Sequence, residues 1–210
     1  MDQPRINISD RVDIMVDLET LSNEMDTTIF QIAAVQFDIH TGDILDTFDL
    51  VADIELASNI EANGGTLKWW ITQNTDVLKD LLDRGTLSKK SPEEVLRRFH
   101  AWLKEKVGYH GQENVFLWGN GIAHDNTWLK IAFQKQGLEW PIFFRNDRDV
   151  RTVRELHLMR QDLKRDFKGE ERTNDRPHDA LSDATFQALN IADQVSHLTG
   201  MFASVTKETT

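Results

Sequence analysis

The stretch Val12-Asp13-Ile14-Met15-Val16-Asp17-Leu18-Glu19-Thr20 limits the possible folds of this chain more than any other segment. Val12, Ile14, Val16 and Leu18 recur at every second position, the period of a β-strand with an apolar face. Asp17 and Glu19 then point together to the other face. Carboxylates held that close repel each other, and a cation between them removes the repulsion. The segment predicts a strand that ends in a divalent-metal site. The competing reading is a polar strand end with two solvated acids, so the remaining ligands must come from elsewhere in the chain.

A chain of 210 residues with 40% hydrophobic content, six Trp and eleven Phe is long enough to bury a sizeable core. A single domain over 1–210 is expected, with frayed ends at 1–10 and 204–210. No apolar run approaches the roughly 20 residues that cross a bilayer, so no membrane partner is expected. Met1-Asp2-Gln3-Pro4-Arg5 lacks the pattern of a secretory signal and there is no cysteine, which fits a cytoplasmic protein. Nothing in the sequence indicates an oligomeric state. The net charge of -11 disfavours a protein that grips phosphate with a general excess of Lys and Arg. It is compatible with an enzyme that bridges phosphate through metal ions and needs only a local basic rim. Arg145, Arg148, Arg151 and Arg154, with Lys164, Arg165 and Lys168, are the candidates for that rim.

Ile29 to Ile39 alternates, Thr41-Gly42 makes a turn, and Ile44 to Val51 returns. Three strands therefore come first, antiparallel because the connections are too short for a crossover helix. Gly64-Gly65 breaks the next segment. Thr66 to Gln73, around Trp69-Trp70, and Asp76 to Arg84 read as short helices ending near Gly85. Ser91, Pro92 and Glu94 form the start of a longer helix with an apolar stripe of Val95, Leu96, Phe99, Trp102, Leu103 and Val107. Val115 to Trp118 suits a buried strand, Gly119-Asn120-Gly121 a tight turn, and Asp125 to Gln136 a helix stopped by Gly137. Ile142 to Phe144 reads as a short extended piece, and Thr152 with Glu155 as the capping box of a helix to about Leu163. Lys164 to Arg176 is a charged loop, and a last helix begins near Asp179-Ala180.

Asp125 stands at the exit of an apolar strand, where reactive groups collect in open α/β sheets, and is a natural third ligand. The alternative is that it only caps its helix. His178 and Asp183 flank the start of the last helix and face one cleft from its two sides, with Asp179 as the N-cap.

Asp17-x-Glu19 on a first strand, Asp125 after Trp118-Gly119-Asn120-Gly121, and His178 five residues before Asp183 resemble the histidine subclass of the DEDD (DnaQ-like) 3'-5' exonucleases. The bacteriophage-type, DexA-like members are the nearest in pattern, with counterparts to Trp69-Trp70 and to the Trp-Gly-Asn-Gly turn. His124 departs from the aromatic residue usual before the aspartate. The resemblance implies an α/β, ribonuclease H-like mixed sheet of about five strands, three antiparallel strands first, flanked by helices. It also implies two Mg2+ or Mn2+ ions on Asp17, Glu19, Asp125 and Asp183. Asp17 would bridge the ions, Glu19 and Asp183 would hold the one that activates water, and Asp125 would serve the second. His178 would be the general base, a role that suits imidazole near neutral pH.

The activity so implied is removal of nucleoside monophosphates from the 3' end of single-stranded DNA, with RNA 3' ends as the alternative substrate. If the chain is phage-encoded, its compartment is the host cytoplasm. Leu18 and Thr20 are expected at the terminal nucleotide, Trp69 and Trp70 as a stacking surface, and Asn120 at the substrate. Since adjacent tryptophans on a helix diverge, one is expected in the core and one near the channel. Rival readings are a non-catalytic nucleic-acid-binding module and a ribonuclease H-like endonuclease.

Overall fold

The computed structural model describes residues 10–163 and 173–205. Its centre is a five-stranded sheet in the order β3-β2-β1-β4-β5, formed by β1 (Val12–Thr20), β2 (Ile29–Phe37), β3 (Ile44–Val51), β4 (Val115–Gly119) and β5 (Asp147–Asp149). The first three strands are mutually antiparallel, whereas β4 runs parallel to β1 and β5 parallel to β4. This is the mixed sheet expected from the sequence. The fifth strand is not Ile142 to Phe144, however. Ile142 is buried in the core, and the polar Asp147-Arg148-Asp149 pairs with Leu117 to Gly119 at the sheet edge, where one side of the ladder stays open and polar side chains are tolerated.

Among the described residues six α-helices flank the sheet: α1 (Gly64–Gln73), α2 (Thr75–Ser88), α3 (Pro92–His110), α4 (Asp125–Lys135), α5 (Val150–Leu163) and α6 (Ala180–Val205). The alternation of β1 separates two cores. Val12, Ile14, Val16 and Leu18 pack with Val95, Phe99 and Leu103 of α3 and with Leu129 and Phe133 of α4. Met15, on the other face, packs with Trp118, Val150 and the small residues Ala184 and Ala188 of α6. Those two alanines let α6 lie close against the strands that carry the site.

Several boundaries differ from expectation for identifiable reasons. Gly64-Gly65 opens α1, because the Asn63 side chain caps the helix by accepting from the Thr66 N–H at 2.8 Å. Gly85 lies inside α2. A Cβ there would sit 2.3 Å from the carbonyl oxygen of Ala52, so the glycine serves close approach to the chain after β3 and does not end the helix. Helix α5 is capped by Asp149, which accepts from the Thr152 N–H at 3.0 Å and from its hydroxyl, in place of a Thr152/Glu155 box. The Ser91 cap and the stop at Gly137, with φ of 66°, are as expected. Ser204 and Val205 still belong to α6, while the expected fraying of 1–9 and 206–210 and the loop residues 164–172 lie outside the described residues.

Candidate active site

The site forms where β1 and β4, being parallel, end side by side. The register pairs Met15 with Trp118, so Asp17 lies level with the turn that follows β4. That turn is held close. A Cβ on Gly119 would lie 2.5 Å from the Asn126 side-chain oxygen and 3.2 Å from the Asp125 Cβ. Asn126, fully buried, donates to the Leu117 carbonyl at 3.2 Å and to Asp147 at 2.8 Å, tying the first turn of α4 to β4 and β5. Asp125 is thereby carried to Asp17. It does not act as the helix cap: it is the first residue of α4, and the Asn120 backbone N–H donates to its carboxylate.

Helix α6 supplies the other half. His178 adopts a left-handed backbone with φ of 66°, which turns the chain sharply into Asp179 and α6. The His178 N–H donates to Asp183 Oδ2 at 2.8 Å, and Asn174 donates to Oδ1 of the same carboxylate. Asp179 is the cap, as expected, accepting from the Ser182 N–H at 3.3 Å. One turn beyond Asp183, the Gln187 side-chain amide donates to Asp17 Oδ1 at 2.9 Å. Asn126, Asn174 and Gln187 are positioning groups that sequence reading missed, since nothing in their local pattern signals contact with a distant carboxylate. Only the i, i+4 spacing of Asp183 and Gln187 hints that both face one way.

Electrostatically the cluster is incomplete by itself. Burial raises the carboxyl of Asp17 well above the ordinary range, and the charges of Asp125, Glu19 and Asp183 raise it further. Burial likewise raises Glu19, helped by Asp183, Asp179 and Asp125. Asp125 is pushed up to about 7 by burial, and burial also raises Asp183. Candidate ligand atoms of Glu19, His178 and Asp183 all lie within 4.8 Å of one another. Oxygen-rich, mutually repelling and converging from three elements, these groups fit hard divalent cations such as Mg2+ or Mn2+.

The other candidates divide. Trp70 is buried, its indole N–H donating to the Thr20 carbonyl at 3.0 Å, whereas Trp69 is 38% exposed and meets the His178 ring edge-on at 4.8 Å. Trp70 is thus a core residue and not part of an exposed stacking surface, while Trp69 lies beside His178. Thr20 is committed to structure through its carbonyl and through its hydroxyl, which donates to the Ser22 carbonyl at 2.9 Å. Leu18, expected at the nucleotide, packs instead in the core on the face away from Asp17 and Glu19, because strand alternation sends its side chain there. Asn120 is present at the site through its backbone.

The basic rim also divides. Arg151 lies beside Gly121, with its guanidinium carbon 3.2 Å from where a Cβ would be, and its charge acts on Asp125. Arg148 folds over Phe116 and donates to the Arg145 and Asp147 carbonyls, and Arg145 covers Phe144. Lys164, Arg165 and Lys168 lie outside the described residues.

On this mixed sheet Asp17 and Glu19 at the end of β1, Asp125 at the start of α4 and Asp183 in the first turn of α6 converge beside His178. The model of the 3'-5' exoribonuclease Rv2179c-like domain matches residues 12–194, and the chain belongs to that family. No curated protein matches the chain. Among solved structures, the nuclease domain of 3'hExo, described as a DEDDh family member bound to rAMP, is similar at 21% identity and a TM-score of 0.54, over 86% of this chain and 90% of that one. Cell-death related nuclease 4 (CRN-4) is similar at 16% identity and a TM-score of 0.56, over 90% and 64%. E. coli exonuclease I in complex with a 5cy-dT13 oligonucleotide is similar at 13% identity and a TM-score of 0.60, over 91% of this chain but only 41% of that one. These likenesses concern the fold. Among the described residues, no helix is long and apolar enough to cross a membrane.

Proposed function

We propose that the protein is a divalent-metal-dependent 3'-5' exoribonuclease that releases nucleoside monophosphates from RNA 3' ends. The observation that carries the reading is the convergence of four carboxylates with raised pKa on His178, the ligand atoms of Glu19, His178 and Asp183 lying within 4.8 Å. The description of the matching family favours RNA over the single-stranded DNA suggested by the phage-type resemblance, and DNA is kept as the alternative.

Asp17 and Asp125 would hold one divalent ion, and Asp17, Glu19 and Asp183 a second. When bound, such ions neutralise the phosphate charge and lower the pKa of a water ligand. The chain's own groups do the rest. His178 accepts the proton of the attacking water as its oxygen bonds to phosphorus, the bond from phosphorus to the O3' of the preceding nucleotide breaks, and O3' takes a proton from solvent water to leave as a hydroxyl. Asp183 fixes the His178 backbone through their hydrogen bond, and Gln187 holds Asp17 Oδ1 in its aim. Trp69 offers an exposed ring beside His178 for stacking, and Arg151 a cation for phosphate.

Matched RNA and DNA oligonucleotides labelled at either end, incubated with Mg2+, Mn2+ or EDTA, test the proposal. Labelled mononucleotide is expected first from the 3'-labelled RNA, with a ladder from the 5'-labelled strand. Cleavage of a circular single strand would assign an endonuclease instead. Activity in excess EDTA would remove the metal from the mechanism.

A further inference from the structure

Outside the carboxylate site, on the far side of the turn that begins α6, Arg84 of α2 closes a polar ring among four elements. Its guanidinium donates to Asp179 at 2.7 Å and to Asp49 of β3. Asp49 in turn accepts from the Gln31 side-chain NH2 at 2.9 Å, and the Gln31 side-chain oxygen Oε1 accepts from the Ala180 N–H at 3.1 Å. Gln31 is fully buried and Asp179 nearly so, whereas Arg84 and Asp49 are partly exposed; a broken bond leaves its costly orphan on Gln31 or Asp179. Asp179 follows His178 directly, and its carbonyl accepts from the Asp183 N–H at 2.9 Å. The ring therefore grips the first of the four residues between the site's two α6-side groups.

We propose that Arg84 is a positioning residue for the exonuclease site: by clamping Asp179 against β2 and β3 it fixes where His178 and Asp183 present their side chains. The proposal rests on the exonuclease reading only for its kinetic consequences. Helix α6 otherwise meets the sheet through the apolar residues Ala184, Ala188 and Ile191 and, one turn beyond Asp183, through the Gln187 bond to Asp17; neither holds the start of the helix at Asp179. A guanidinium held by two carboxylates on different elements resists both sliding and rotation, because its donors lie in one rigid plane. Arg176, paired with Asp80 and 3.6 Å from Asp179, reinforces the same carboxylate from the loop side.

The test compares Arg84→Ala and Arg84→Lys with Asp46→Ala, which breaks a separate contact to Lys106 and Trp102 on the other face of the sheet. Arg84→Ala is expected to lower kcat by about ten- to a hundred-fold, the loss that small misplacement of reacting groups produces, with KM for the oligonucleotide little changed. Arg84→Lys, keeping the charge and one donor direction, should recover part of that loss, and Asp46→Ala should keep full kcat. Independently of turnover, Arg84→Ala should weaken Mn2+ binding by calorimetry and speed hydrogen exchange at the Asp183 amide. The proposal is overturned if folded Arg84→Ala keeps kcat, Mn2+ affinity and exchange protection, if only KM rises, or if Asp46→Ala loses as much. A wild-type protein inactive on every oligonucleotide would refute the exonuclease reading, while Mn2+ binding and exchange would still decide the role of Arg84.

Discussion

Trp69 and His178, 109 positions apart in the chain, meet edge to face with ring centroids 4.8 Å apart. The contact joins α1 to the loop that delivers the proposed general base. Trp69 remains 38% exposed there, next to the group proposed to act on the phosphate.

The two adjacent tryptophans should accordingly fail in different ways. Trp69→Ala is expected to raise KM for an oligonucleotide about ten-fold, within the ~1–3 kcal/mol of a base stack, and Trp69→Phe to restore most of it. Trp70→Ala should instead destabilise the fold by about 3–5 kcal/mol, as removal of a fully buried aromatic does. Steady-state kinetics and urea unfolding separate the two effects, and a Trp69→Ala enzyme with unaltered KM would remove the stacking role.

Asp17→Ala and Asp183→Ala should each cut hydrolysis by about a thousand-fold or more while the far-ultraviolet circular dichroism stays native. His178→Ala should retain weak activity, since the carboxylates and their ions still hold the phosphate. Full turnover by purified Asp17→Ala protein would disprove the metal site.

Stability of the cation-free protein should depend on pH through the same carboxyl groups. Burial raises Asp17, Glu19 and Asp183 and pushes Asp125 up to about 7, so between roughly pH 4 and 7 the folded chain binds more protons than the unfolded one. The contribution is complete below that window and is lost as pH rises through it. In EDTA, Tm should fall between pH 5 and 7.5. Mn2+, which binds the ionised carboxylates, should abolish the fall, and Asp125→Asn should shallow it. A Tm that rises over that range in EDTA would contradict the raised values.

Arg151→Ala should weaken oligonucleotide binding and reduce the slope of log K against log salt by about one, the signature of one lost phosphate contact. Arg148→Ala should leave the slope unchanged because its guanidinium is folded over Phe116. Fluorescence anisotropy in Ca2+, across a salt series, reads both variants.

Two kinds of information divide in this molecule. Period-two alternation in Val12 to Thr20 was enough to put Asp17 and Glu19 on one face and the apolar residues on the other, because strand geometry is local. The Ser91 cap, the Gly137 stop and the antiparallel order of the first three strands were legible for the same reason. The order of Asp17, Glu19, Asp125, His178 and Asp183 carried the resemblance to DEDD exonucleases. Long-range contact was not legible. The polar edge strand Asp147–Asp149 has no apolar pattern to announce it, and Gly85 reads as a helix stop until the Ala52 carbonyl is seen against it. Gln187 on Asp17, Asn126 beneath Asp125 and Arg84 on Asp179 depend on which elements the sheet brings together. Sequence by itself therefore determined which residues are proposed to carry the chemistry. Tertiary structure decided what aims them, because a side chain's reach to a partner a hundred residues away depends on packing and leaves no local period to read.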